Sequence, residues 1–267
     1  MDVKHPPRKP PKFIGILLLI LLCIQSTSIA QDDAVPNAPP TLTAAKLIGT
    51  PPRIDGDLDE DTWQQAPVAT GFVQLLPDEG KPATERSEVR VLYGDDALYV
   101  GFRAYDTNST AIEGQLTRRD RESFSAWVHV AIDSYNDKRT AFQFGVNPRG
   151  VKQDTYRYDD TRRDPDWNAV WDVATIVDEH GWTAEFRIPY TQLRFPHTEK
   201  MIWGIQFTRD IARKKELVYW APLSSQESGT VSKYGTLRGL KDIQSQWRFE
   251  VAPYSLGRFQ RASGVLS

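Results

Sequence analysis

From Val89 onward, apolar and polar residues alternate one for one in short runs separated by turn residues. "SEVRVLYGDDALYVGFRAYD" predicts strands over Val89–Tyr93 and Leu98–Tyr105, joined by a tight turn at Gly94–Asp96. The same period of two recurs in Trp127–Asp133, Ala141–Asn147, Val151–Tyr158, Val170–Val177, Gly181–Ile188 and Trp203–Asp210. Such a period sends successive side chains to opposite faces, so each segment has one face to bury. "NPRG" (Asn147–Gly150) joins two of these segments as a turn, and "PYTQLRF" is long enough for one helical turn at most. Many short strands with almost no helix predict an all-β fold, an antiparallel β-sandwich.

The two ends of the chain depart from this pattern. Lys4, Arg8, Lys9 and Lys12 precede an unbroken apolar run, Phe13–Ile24, and Ser28 and Ala30 then offer a small-residue cleavage site. This is the arrangement of an N-terminal secretory signal helix over residues 1–30, shorter than the roughly 20 apolar residues of a comfortable membrane span. Residues 31–45, rich in Pro, Asp and Ala, are expected to be a flexible leader, with structure beginning at Pro51. There a short strand around Ile54 enters an Asp-Gly turn, and Asp59 is placed to cap a short helix carrying Trp63. At the far end, "YGTLRGL" closes the domain near Leu240, and a new alternating segment starts at Gln246 and runs toward Ser267 without a partner.

Composition narrows the function classes. The chain's one cysteine, Cys23, lies within the predicted signal, so an exported product would be stabilised by its core rather than by disulfides. Removing the signal subtracts four of 33 basic and one of 35 acidic residues, leaving 29 against 34 and a net charge of −5. An acidic balance argues against nucleic acid, whose phosphates need a basic face. Zinc is disfavoured by the absence of cysteine and of paired histidine spacing, and haem by the scarcity of Met and His.

Eight Trp, ten Tyr and eleven Phe suit a β core and also suit sugars, whose apolar C–H faces stack on aromatic rings. "DPDWNAVW" (Asp164–Trp171) concentrates both possibilities: Trp167 falls in a loop where it could meet a ligand, whereas Trp171 begins a strand and should point into the core. Tyr156 and Tyr158, two apart, share a strand face and form either a platform or ordinary packing. Asn147 is either a ligand contact or the residue that starts the turn before Pro148. Glycoside cleavage would need two carboxylates about 5–10 Å apart. Asp159, Asp160, Asp164, Asp166 and Asp172 are numerous, but Arg162 and Arg163 interleave them in a polar loop. Calcium could sit at "DGDLDED" (Asp55–Asp61) or at "IDSYND" (Ile132–Asp137), although the first lacks the spacing of an EF-hand.

Several long motifs in order carry a resemblance. "IDGDLDEDTWQQA" followed by "VRVLYGDDALYVGFRAYD" resembles the opening of the family 9 carbohydrate-binding domains. "AIDSYNDKRTAFQFGVNPRGVKQD", "WNAVWDVATIVDEHGWTAEFRIPYTQLRF" and "WGIQFTRDIARKKE" resemble the branch that precedes an outer-membrane-type β-barrel in bacterial envelope proteins. The likeness spans residues 46–240 and implies a jelly-roll-like sandwich with polysaccharide (xylan or cellulose) or oligosaccharide as partner, and structural Ca2+ as the one cofactor. It implies that Trp247, Phe249 and Val251 open a truncated barrel-like region over 241–267, making the chain's own barrel a second partner in the periplasm or outer membrane. Sugar-binding members clamp the ligand between two tryptophans, at positions held here by Ser123 (with Phe124 beside it) and Ser228. An acid and an arginine of those members correspond to His129 and Gly145, and their amide to Asn147. The candidate contacts are therefore Asn147, Trp167, Tyr156, Tyr158 and Phe124, in a non-catalytic binding module. The alternatives are a structural domain of a barrel protein that no longer binds sugar, and a glycoside hydrolase.

Overall fold

The computed structural model describes residues 1–3, 38–196, 198 and 201–243; the predicted signal from residue 4 onward and the alternating segment that starts at Gln246 lie outside these residues. Fifteen strands follow in chain order: β1 (Thr41–Thr43), β2 (Ala45–Lys46), β3 (Val68–Ala69), β4 (Val73–Leu76), β5 (Ser87–Tyr93), β6 (Ala97–Tyr105), β7 (Trp127–Asp133) and β8 (Ala141–Val146). After them come β9 (Lys152–Tyr158), β10 (Arg162–Asp164), β11 (Asp172–Asp178), β12 (Gly181–Pro189), β13 (Met201–Ile211), β14 (Glu216–Tyr219) and β15 (Gly235–Leu240). Helical structure among the described residues is confined to single 3-10 turns such as Asp61–Gln65 and Tyr190–Gln192.

The strands form two sheets. One runs β1-β15-β13-β7-β8-β9-β10, and the eleven-residue β13 pairs along one side first with β15 and then with β14, which in turn carries β4. The other runs β11-β12-β6-β5-β2, with β3 also on β5. Alternation works as predicted: Val128, Val130 and Ile132 of β7 and Phe142, Phe144 and Val146 of β8 face Val100 and Phe102 of β6 and Ala184, Phe186 and Ile188 of β12 in one core. Trp171 bridges the sheets, stacked on Phe186 (5.7 Å, 6°) and edge-on to Phe144 (5.4 Å, 73°). The all-β sandwich is thus formed by burying one face of each sheet at about 25 cal/mol per Å2 of apolar surface.

Order begins earlier than Pro51, within the last residues of the expected leader. Residues 41–43 and 45–46 add to the two sheets in parallel, on β15 and β5, burying Leu42 and Ala44. Runs of two or three residues are too short to show a period, so tertiary pairing, not local pattern, makes them strands.

The segment around Ile54 is a loop rather than a strand. It belongs to a cap that lies on the outer face of the β5–β6–β12 sheet, where Trp63, Leu58 and Ile54 pack on Leu92 and Tyr99. Its backbone donors go to a side chain: the N–H groups of Asp55 and Gly56 donate to Glu185 Oε2 at 3.0 and 2.8 Å. The 3-10 turn that follows is preceded by Glu60 and has no side-chain cap, so Asp59 does not serve as one.

Candidate carbohydrate site

"DPDWNAVW" crosses from β10, the edge of one sheet, to β11, the edge of the other. Its carboxylates shape the turn locally: Asp164 accepts the Asp166 N–H (3.0 Å), and Asn168 donates to the Asp166 carbonyl (2.9 Å). Two further bonds fix the segment to the sandwich. The buried Asp154 of β9 accepts the Ala169 N–H at 2.6 Å, and Val170 N–H donates to Gln192 at 2.9 Å. Arg119 clasps both Asp154 and the Ala169 carbonyl, the latter at 2.7 Å. Trp167 is therefore presented by a braced backbone.

Its ring packs tilted on Phe142 (5.2 Å) and edge-on to Phe144 (5.8 Å), leaving it half-buried. Tyr156 also contacts Phe142 (5.4 Å) and stacks on Tyr158 (6.4 Å, 13°). Trp167, Tyr156, Tyr135, Phe142, Thr140, Asp137 and Arg194 enclose an open-mouthed cavity of about 410 Å3. Two of the five candidate contacts thus meet in one cavity, with Tyr158 one ring behind. Tyr135 and Arg194 come from loops far away in sequence, where nothing in the period marks them.

The other two candidates lie elsewhere. Asn147 is fully buried and belongs to the turn. Its Oδ1 accepts the N–H groups of Arg149 and Val151 (both 3.0 Å), its Nδ2 donates to the Gln115 carbonyl (2.8 Å), and Gly150 completes the reversal at φ +75°. With its polar atoms spent this way, Asn147 is removed from the list of ligand contacts. Phe124 is 54% exposed on the loop before β7 and does not line the Trp167 cavity.

The two positions that the resemblance assigns to a clamp lie in loops, Ser123 before β7 and Ser228 before β15. Ser228 lines a trough of about 630 Å3 with Tyr219, Arg157, Leu76 and Pro77, and Ser123 hydrogen-bonds to Ser125 (2.8 Å). Neither serine offers a ring for stacking. His129 and Gly145 are directly opposed across β7 and β8. A Cβ on Gly145 would come within 2.4 Å of the His129 ring, so the imidazole occupies the space that a side chain at 145 would need. Burial lowers His129 to about 4, so it is neutral at pH 7, and burial raises Asp210 on the same face to about 6.

Three of the carboxylates weighed for catalysis have partners of their own. Asp159 pairs with Arg139 (2.9 Å) and Asp172 with Arg187 (3.2 Å). Asp160 accepts the N–H groups of Thr230 and Ser232 (both 2.9 Å), which hold it low although burial opposes them. The calcium expectation meets a similar obstacle. Asp133 accepts the N–H groups of Asp137 and Lys138, Asp55 pairs with Arg53 at 3.2 Å, and among the described residues no group of three or more His, Cys, Asp or Glu is gathered to hold a metal. Asp133 and Asp55 are thus already partnered within their own turns.

Solved structures with this architecture include two of a family 9 carbohydrate-binding module from Caldicellulosiruptor kristjanssonii. The complex with cellotriose is 16% identical (TM-score 0.56), covering 80% of this chain and 100% of that one. The complex with glucose is also 16% identical (TM-score 0.55), covering 74% and 94%. A proposed carbohydrate-binding protein from Bacteroides uniformis aligns at 12% identity (TM-score 0.60), covering 75% and 99%. No curated protein sequence matches. Residues 54–237 match the family model described as carbohydrate family 9 binding domain-like, and the chain belongs to that family.

Proposed function

We propose that this chain is a non-catalytic carbohydrate-binding module that takes a sugar ring against Trp167 and Tyr156. The observation that carries this reading is the braced Trp167: an aromatic surface beside an open cavity, held by Asp154, Arg119 and Gln192 before any ligand arrives. Binding costs less when the contact surface is already ordered. A cavity of about 410 Å3 has room for one or two pyranose rings, which suits a chain end or short segment of a xylan- or cellulose-type polysaccharide. The basic and then apolar start of the sequence supports export to the periplasm or outer membrane, and the segment after Gln246 supports attachment to a barrel.

A second reading, a structural domain of a barrel protein without sugar binding, is favoured by the serines at both clamp positions and by the burial of Asn147. Affinity electrophoresis of the full chain through gels containing soluble xylan or hydroxyethylcellulose separates the two. Retardation that Trp167→Ala abolishes supports the module. Unretarded migration in every gel supports the structural domain.

A further inference from the structure

Among the described residues, the Trp167 cavity carries one charge that the fold does not use. Arg194 follows the 3-10 turn Tyr190–Gln192, and its neighbours Leu193 and Phe195 are both buried in the core. Its own backbone is tied down, since its carbonyl accepts the Ser134 hydroxyl at 2.7 Å. The side chain is exposed and lines the cavity, and among the described residues its guanidinium has no carboxylate or hydrogen-bond partner. Asp137, the other charged residue on the wall, is already occupied. Its Oδ1 accepts the N–H groups of Arg139 (2.8 Å) and Thr140 (2.7 Å), and its Oδ2 accepts the Thr140 hydroxyl (2.8 Å). Arg139 in turn pairs with Asp159 at 2.9 Å, which leaves Arg194, among the described residues, as the unpaired cation on the wall.

A planar guanidinium with open donors beside an aromatic wall is suited to a ligand that brings both an apolar ring face and a carboxylate. Arginine recognises carboxylates with two parallel N–H donations, which a neutral hydroxyl cannot accept. Resting on the reading of this cavity as a sugar site, we infer that its preferred ligand is a hexuronate, a pyranose bearing a carboxylate on C5, so that the module selects acidic over neutral polysaccharide. The ring stacks on Trp167 and Tyr156, and the carboxylate is held by Arg194.

The test titrates the full chain with methyl β-D-glucopyranosiduronate and, separately, with methyl β-D-glucopyranoside, following backbone and indole N–H shifts by NMR. The parent should bind the uronide about tenfold or more tightly than the glucoside, a gap worth about 1.4 kcal/mol. In Arg194→Gln that preference should vanish, the two sugars then binding alike, and in the parent it should shrink with added salt. Equal affinities, with binding that Trp167→Ala abolishes, would overturn the hexuronate inference and leave the sugar site standing. Binding of neither sugar, or binding indifferent to Trp167→Ala, would overturn both.

Discussion

The indole N–H of Trp63 donates to Glu185 Oε1 at 3.0 Å across 122 residues of sequence, and this bond closes the cap over the β5–β6–β12 sheet. Glu185 has no exposed surface, and burial pushes it up to about 7, with the Asp55, Gly56 and Trp63 donors opposing the shift. A carboxylate raised in the folded state stabilises through its proton. That contribution is complete below the unfolded value of 4.5 and is lost as the pH rises through about 7. The share of stability due to Glu185 should therefore fall between about pH 5 and pH 8, by at most about 3 kcal/mol in thermal unfolding, while His129, lowered to about 4, contributes with the opposite sign below about pH 6.5. Glu185→Gln should flatten that slope while Asp210, raised to about 6 by burial, keeps a smaller share of it. An unchanged slope would show that the cap is indifferent to this proton.

His129 and Gly145 make a second linked pair. Gly145→Ala should cost about 1–3 kcal/mol in chemical denaturation, because the added methyl group meets the imidazole at 2.4 Å. Adding His129→Ala should recover most of that loss, a coupling that a double-mutant cycle measures directly. Additive losses would mean that the two side chains do not compete for one space.

Arg209 is 1% exposed and donates to the Arg86 and Tyr105 carbonyls (2.9 and 2.6 Å) and to the Ser87 hydroxyl (3.1 Å), joining β13 to the strands of the opposite sheet. Arg209→Leu should destabilise the chain by about 3–5 kcal/mol, since it leaves the buried carbonyl acceptors unpaired and takes one of two cations from Asp106, Arg213 being the other. Denaturant midpoints check this. A loss below about 1 kcal/mol would mean the network is dispensable.

The brace behind Trp167 can be removed without touching the ring. Asp154→Leu takes away the acceptor for the Ala169 N–H and the partner of Arg119. Sugar affinity should fall about tenfold, and hydrogen exchange at Ala169 should quicken, because ordering the loop then becomes part of binding. Unaltered affinity with rapid exchange would show that the ring needs no brace.

How much of this was legible in the sequence depended on length and locality. β7 runs over Trp127–Asp133 as its alternation predicts, and β6 and β12 are displaced by one residue at an end. Seven or more alternating residues fix a period, whereas the two to four of β1, β3 or β14 do not. Trp171 read correctly as core, and Trp167 and Tyr156 converge as aromatic candidates could. Asn147 did not, because the groups that surround it, Gln115 and Ser125, arrive from a loop without a pattern. Glu185 stands at a position of β12 that alternation assigns to solvent, and the cap contributed by residues 54–66 covers it. Arg194 and Tyr135 were invisible for the same reason, since a cavity wall assembled from distant loops has no signature in one dimension.

The central claim, a sugar held against Trp167, is tested most directly by the indole N–H spectrum of the chain as cellotriose is added. The Trp167 resonance should shift and saturate, while those of the buried Trp63, Trp171, Trp182 and Trp203 stay in place. Movement of Trp127, beside His129 on the outward sheet face, with Trp167 unmoved would contradict it and place the ligand in the trough by Tyr219 and Ser228.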